Sequence, residues 1–292
     1  MYHYVREDSK IFPYSRHKNI SKFIKEIDFL KKDYEFYRTS DLLDIKDLNK
    51  GYVLTFDDGL KDHLNVAEIL KSKNITASFY IPISPYLNES IMPVHKAHLI
   101  CSKLGGKALD MLYDACNDLG FDYKSIISEE EKSRFSKSYT HQNDDEAIKD
   151  FKRLINYYGK LGLREKLLNN IINKLDISID PKDFYLTVDE IRYISSLGFE
   201  IGSHSVSHTL LSRLKFEEQL YELKKSKMFL ENTLKKKVHS FCYPYGGKSS
   251  YNNTTIEILK KVGYDNSISV ESRDILIYDI KSNNYELPRY DC

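Results

Sequence analysis

The 292-residue chain has no tryptophan, no net charge to speak of, and no long apolar run. Each absence removes a class of function. Lys plus Arg (44) nearly cancels Asp plus Glu (43), so no basic footprint for nucleic acid or polybasic membrane patch is present. No stretch approaches the roughly 18 apolar residues of a membrane span. Met1–Lys10 lacks a basic region followed by an apolar core, so it does not read as a secretory signal. The four cysteines, Cys101, Cys116, Cys242 and Cys292, show neither CxxC pairing nor zinc-site spacing, and are expected to be reduced thiols in a cytoplasmic protein. Tyrosine (23) and phenylalanine (14) replace the missing indoles. Tyrosine can stack on sugars, but coding bias would give the same count, so the imbalance decides nothing.

What is present begins as alternation. Tyr2–Val5 reads as a first strand, and Ser21 as the N-cap of a helix carrying Phe23, Ile24, Ile27 and Leu30. Tyr34–Tyr37 and Tyr52–Phe56 read as strands, a helix follows from about Leu60 to Ser72, and Ile75–Ile81 is a strand closed by Pro82 and Pro85. This is the β-α-β rhythm of a mostly parallel sheet. It stops at residue 85. Up to Phe184 only helical patterns appear: Leu99–Leu119, broken at Gly105-Gly106, then Ala147–Tyr158 and Leu163–Leu175. The polar stretch Ser128–Asp145 reads as a mobile loop.

Alternation resumes with a capping box at Thr187-Val-Asp-Glu190, opening a helix through Leu197 that Gly198 ends. Phe199–Gly202, His239–Tyr243, Tyr264–Val270 and Tyr285–Tyr290 read as strands, with helices at Phe216–Leu234 and Thr255–Val262 between them. The expected architecture is α/β: a distorted (β/α) barrel of about seven strands over residues 1–84 and 185–292. A helical insertion, 85–184, would cap the site.

Two features carry chemistry. Val53-Leu-Thr-Phe-Asp57-Asp58-Gly59 sets adjacent carboxylates just past a buried strand. Ionised together in a poorly solvated place they repel, so one must be raised in pKa or neutralised by a cation. After another strand comes His204-Ser-Val-Ser-His208, whose histidines, four apart, can both reach one metal. A carboxylate with two imidazoles is a common hydrolytic metal set.

Thr55-Phe-Asp-Asp-Gly59, His204-Ser-Val-Ser-His208 and Tyr243-Pro-Tyr-Gly246 resemble the first three motifs of the polysaccharide deacetylases, carbohydrate esterase family 4. Leu197-Gly-Phe-Glu-Ile-Gly-Ser-His204 matches the family's usual run into its histidine motif. The resemblance covers about residues 1–85 and 185–292. It implies that Asp58, His204 and His208 bind a divalent metal, zinc first, with Asp57 as general base and the Tyr245 N–H as oxyanion donor. Such a metal makes water acidic near neutrality, and a neighbouring group must hold Asp57 aimed at it.

Two departures stand out. Most members carry an arginine about where Cys242 stands, and a late histidine serves as general acid, whereas the last histidine here is His239. Tyr2-His3-Tyr4-Val5 resembles the opening phrase of a permuted branch in which that histidine strand comes first, which makes His3 the expected acid; the other reading is an ordinary strand residue. Arg289, in Leu-Pro-Arg-Tyr290, resembles the family's late Leu-Pro-Arg strand and would orient Asp57 or bind substrate, a surface salt bridge being the alternative. His95 and His98, at helical spacing, read as a solvated helix face, lining of the pocket from the insertion being the alternative, and His17 and His63 read as surface.

The expected activity is metal-dependent removal of an acetyl group from an N-acetylated sugar of a glycan precursor. A non-sugar amidase on the same fold and an inactive sugar-binding relative are the alternatives. The expected partner is an acetylated sugar or oligosaccharide, with no nucleic acid and no membrane insertion.

Overall fold

Five short parallel strands, Thr55–Phe56, Ser78–Ile81, Glu200–Ser203, Ser240–Cys242 and Asn266–Ile268, pair in chain order into one curled sheet. The computed structural model describes residues 1–45, 50–140 and 142–291. Cys292 therefore lies outside the described residues, while Cys101, Cys116 and Cys242 are free and buried.

Period-two alternation gives the sheet two distinct faces. Phe56, Phe79, Ile81, Ile201 and Phe241 join the main core, which the helices Asp62–Ser72, Val188–Ser196, Phe216–Leu234 and Asn253–Val262 cover with Leu70, Ile194, Leu223 and Leu259. The other face holds Tyr80, Cys242 and Ile268 against Leu287. Gly202 makes that packing possible, because a Cβ there would stand 2.3 Å from the Tyr80 ring.

The expected seven-stranded barrel is corrected to a five-stranded sheet. Residues on either side of it form only single bridges, Tyr2 to Phe56 and Leu287 to Ile268. Leu287 makes both bonds of the second bridge, to the Ser267 carbonyl and from the Ser269 N–H, and the Ser269 carbonyl that would continue the ladder accepts from the Arg289 guanidinium instead. Tyr52–Phe56 is likewise split at Leu54: Gly51–Val53 pairs with Glu35–Tyr37 in a small separate sheet.

The chain divides into two units, residues 1–7, 17–90 and 180–292, and residues 8–16 with 91–179. The second is helical. Pro93–Leu104, Ala108–Asp118, Glu146–Arg153 and Leu161–Lys174 pack Ile100, Leu112, Phe151, Leu168 and Ile171 into a core of their own. The stretch read as a loop contains a helix, Glu129–Arg134, whose first turn is capped by the Ser128 hydroxyl. His141, within that stretch, lies outside the described residues. His95, expected on a solvated face, is buried in this unit. Among the described residues no helix is long and apolar enough to cross a membrane.

Candidate active site

All the site residues named from the sequence lie in the sheet-containing unit, just past the C-terminal ends of its strands or, for His3 and Arg289, past the flanking bridges at Tyr2 and Leu287. Asp57 and Asp58 leave the strand Thr55–Phe56 with Asp58 in the left-handed region (φ 78°), a conformation that Asp tolerates better than most residues. Both carboxylates are 2% exposed. Tyr2 flanks the strand, its N–H bonding the Thr55 carbonyl and its carbonyl accepting the Asp57 N–H (2.8 and 3.0 Å), which sets His3 beside the turn.

Asp57 is gripped by Arg289. The guanidinium donates to Oδ1 at 2.8 Å and Oδ2 at 2.5 Å, and also reaches the Thr55 hydroxyl (3.0 Å) and the Ser269 carbonyl (3.2 Å). Burial alone would raise the Asp57 pKa, but the charge and hydrogen bonds of Arg289 outweigh it and hold the carboxyl well below the usual range. The thiol of Cys242 completes the pocket, 3.4 Å from Asp57 Oδ2 and 2.9 Å from the guanidinium, and burial pushes it up into the neutral form. The repulsion foreseen between the two aspartates is thus half resolved within the protein, because a guanidinium neutralises the first.

The second faces histidines. Asp58 Oδ1 lies 3.5 Å from His204 Nε2 and 3.4 Å from His208 Nε2. Those separations exceed the 2.7–3.2 Å of an ordinary N–H···O bond, yet donors about 2.0–2.1 Å from one tetrahedral ion would stand about 3.3 Å apart. His204 Nδ1 meets the Cys242 carbonyl at 2.7 Å, so its proton sits there and the Nε2 lone pair faces Asp58. Burial lowers the His204 pKa, which keeps the ring neutral as a ligand must be. The three residues fit a divalent metal. A second cluster, Asp57, His204 and Cys242, is also close-set, but Arg289 already fills it with positive charge.

His3 approaches from the other side, with Nε2 3.8 Å from Asp58 Oδ2 and its side chain one-third exposed. Tyr245 sets its ring 5.0 Å from that of His208, tilted by 58°, at a left-handed turn (φ 63°) after Pro244. The structure therefore brings together Asp57, Asp58, His204, His208, His3, Tyr245 and Arg289.

Sequence reasoning missed two contributors. Cys242 reads from the sequence as a reduced thiol and as a departure from arginine, with no part in the site. His63, read as solvated, is fully buried, and its Nε2 bonds the His3 carbonyl at 2.9 Å. A signal existed, since His63, Val66, Ala67 and Leu70 share the helical i, i+3, i+4, i+7 stripe that turns inward.

Comparison with known proteins agrees with this geometry. Residues 169–267 match the polysaccharide deacetylase family model, a span that includes His204, His208 and Tyr245 but not Asp57, Asp58, His3 or Arg289. The Bacillus subtilis (strain 168) protein YxkH, whose name places it among polysaccharide deacetylases, is 29% identical over 98 residues; the match spans about a third of each chain (32% of this one, 34% of YxkH). Among solved structures, the Streptococcus pyogenes deacetylase PplD in complex with acetate superposes at a TM-score of 0.58 with 15% identity, covering 99% of this chain and 88% of that one. A de-N-acetylase from Aggregatibacter actinomycetemcomitans gives 0.57 with 16% identity, covering 99% and 92%. At such identities the structural likeness shows the fold alone. With the family model and the curated relative, the resemblance to polysaccharide deacetylases is shown.

Proposed function

We propose that this chain is a zinc-dependent deacetylase that hydrolyses the acetamide of an N-acetylated sugar in a glycan or glycan precursor, using the permuted acid His3. The observation that carries the reading is the buried Asp57–Arg289 pair set beside Asp58, His204 and His208. A site that only bound sugar through a structural metal would need the three ligands alone. A second carboxylate, held ionised and aimed by a two-pronged guanidinium, is what a general base requires.

A divalent ion held by Asp58, His204 and His208 would supply Lewis acidity, polarising the acetyl carbonyl and making water acidic near neutrality. Asp57 takes the proton of the water as its oxygen bonds the carbonyl carbon. Oδ1 of Asp57 has a lone pair left for this after bonding Arg289, whereas Oδ2 also accepts from the Cys242 thiol. The Tyr245 backbone N–H donates to the developing oxyanion, where a fixed dipole is worth more than mobile solvent. His3 then gives a proton to the amine nitrogen as the C–N bond breaks, releasing acetate and the free amino sugar. The Streptococcus pyogenes neighbour is a deacetylase solved with acetate, the product this scheme releases.

The deciding experiment is an acetate-release screen across N-acetylated nucleotide sugars and oligosaccharides. Asp57→Asn should keep its bound zinc and lose about 10²–10⁴-fold in turnover. Full activity in that variant ends the base assignment, and acetate release from non-sugar amides alone moves the substrate class.

A further inference from the structure

His204 and His208 sit on a backbone that does not hold itself. From the strand end at Ser203 the chain passes through left-handed conformations at Ser205 (φ 66°) and His208 (φ 52°), neither of them glycine. Such a conformation is unfavourable for a residue with a Cβ and persists only where the surroundings impose it.

The imposing group is a carboxylate from the helix Phe216–Leu234. Glu222, 7% exposed, accepts the Val206 N–H at 2.8 Å and the Ser207 N–H at 2.9 Å on Oε2, and the Ser207 hydroxyl at 2.7 Å on Oε1. One helical turn on, Ser226 Oγ meets Ser203 Oγ at 2.8 Å, so the same helix face ties down the start of the loop. On the opposite side the N–H groups of Ile83 and Ser84 bond the carbonyls of Ser205 and Val206 (3.2 and 2.8 Å). Inside the loop the His208 N–H bonds the Ser205 hydroxyl at 3.1 Å.

We propose that Glu222 is the positioning residue of the cation site: it fixes the strained loop that aims both imidazoles at Asp58. The inference rests on the reading of Asp58, His204 and His208 as metal ligands. Glu222 acts through the loop between the two histidines, holding the Val206 and Ser207 N–H groups and the Ser207 hydroxyl. An apolar side chain at this position would leave two loop N–H groups without acceptors. Groups that orient ligands from behind typically control metal affinity by about 10–100-fold.

The test compares the full-length wild type with Glu222→Ala, Glu222→Gln and Ser207→Ala. Each is stripped with chelator and titrated with Zn²⁺ against a chromophoric competitor, with thermal unfolding followed in parallel. Glu222→Ala should bind zinc about 10–100-fold more weakly while still unfolding cooperatively. Glu222→Gln should stay within a few-fold of wild type, because its amide oxygen still accepts both N–H groups and its NH₂ can donate to the Ser207 oxygen. Ser207→Ala should lose a few-fold. Wild-type affinity in Glu222→Ala overturns the proposal. So does a Glu222→Gln as weak as the alanine variant, since charge rather than loop geometry would then be at work. Should Glu222→Ala not fold, wild-type affinity in Ser207→Ala overturns it instead. A wild type that takes up no zinc removes the metal-ligand reading itself, and this proposal with it.

Discussion

At the scale of single residues the governing contact is the fork of Arg289 on Asp57. Residue 289 read from the sequence as one of three things, and burial decides among them: its side chain is 9% exposed, so it is no surface salt bridge. A buried pair of this kind is expensive to break, because the remaining charge has lost both partner and water. Arg289→Ala should destabilise the fold by roughly 3–5 kcal/mol, measured by urea unfolding. Arg289→Lys keeps the charge without the planar fork, so it should recover stability better than turnover. Equal recovery of both would mean that Asp57 needs only a countercharge and no orientation.

At the scale of elements, the turn Tyr243–Gly246 sets the proposed oxyanion donor. Gly246 adopts φ 69°, and a Cβ there would stand 2.2 Å from Val270 Cγ2. Gly246→Ala should therefore displace the Tyr245 N–H, costing at least about 1 kcal/mol in stability. It should also lower kcat more than it raises KM; a loss confined to KM would place Tyr245 in ground-state binding instead.

Elements also mark where sequence was easy to read. Phe216–Leu234 is found within the predicted bounds, and the Thr187 box caps Val188–Ser196 as foreseen, because helical periodicity and capping are local. The short helix Ile277–Ser282 gave no sustained apolar stripe and was missed. Tyr285–Tyr290 had strand-like residues, but whether strand-like residues form a ladder depends on a partner distant in sequence.

For the whole molecule, the consequence is a stability that falls with acid. Burial lowers the pKa of both His63 and His204, so the native chain stays neutral there while the unfolded chain takes up protons below about 6.5. The unfolded state then binds more protons, and the sign of the linkage makes stability decrease as pH drops from about 6.5. Chelator-treated protein should unfold at a lower urea concentration at pH 5.5 than at pH 7.5. His63→Phe, placed against Phe56 and Phe79, should narrow that gap. A gap unchanged by the substitution would exclude His63 as a contributor.

The chain's local chemistry determined the nature of the site. Adjacent carboxylates after a buried strand, two histidines four apart and a Pro-Tyr-Gly turn are what the proposed hydrolytic metal set rests on, because ligand type and short-range spacing are properties of neighbouring residues. Only the tertiary structure decided how residues far apart in sequence cooperate. Arg289 meets Asp57 from 232 residues away, Cys242 lends its carbonyl to His204 and its thiol to Asp57, and Glu222 reaches into the histidine loop. These contacts depend on which strand ends and helix faces converge, and no stretch of neighbouring residues encodes that.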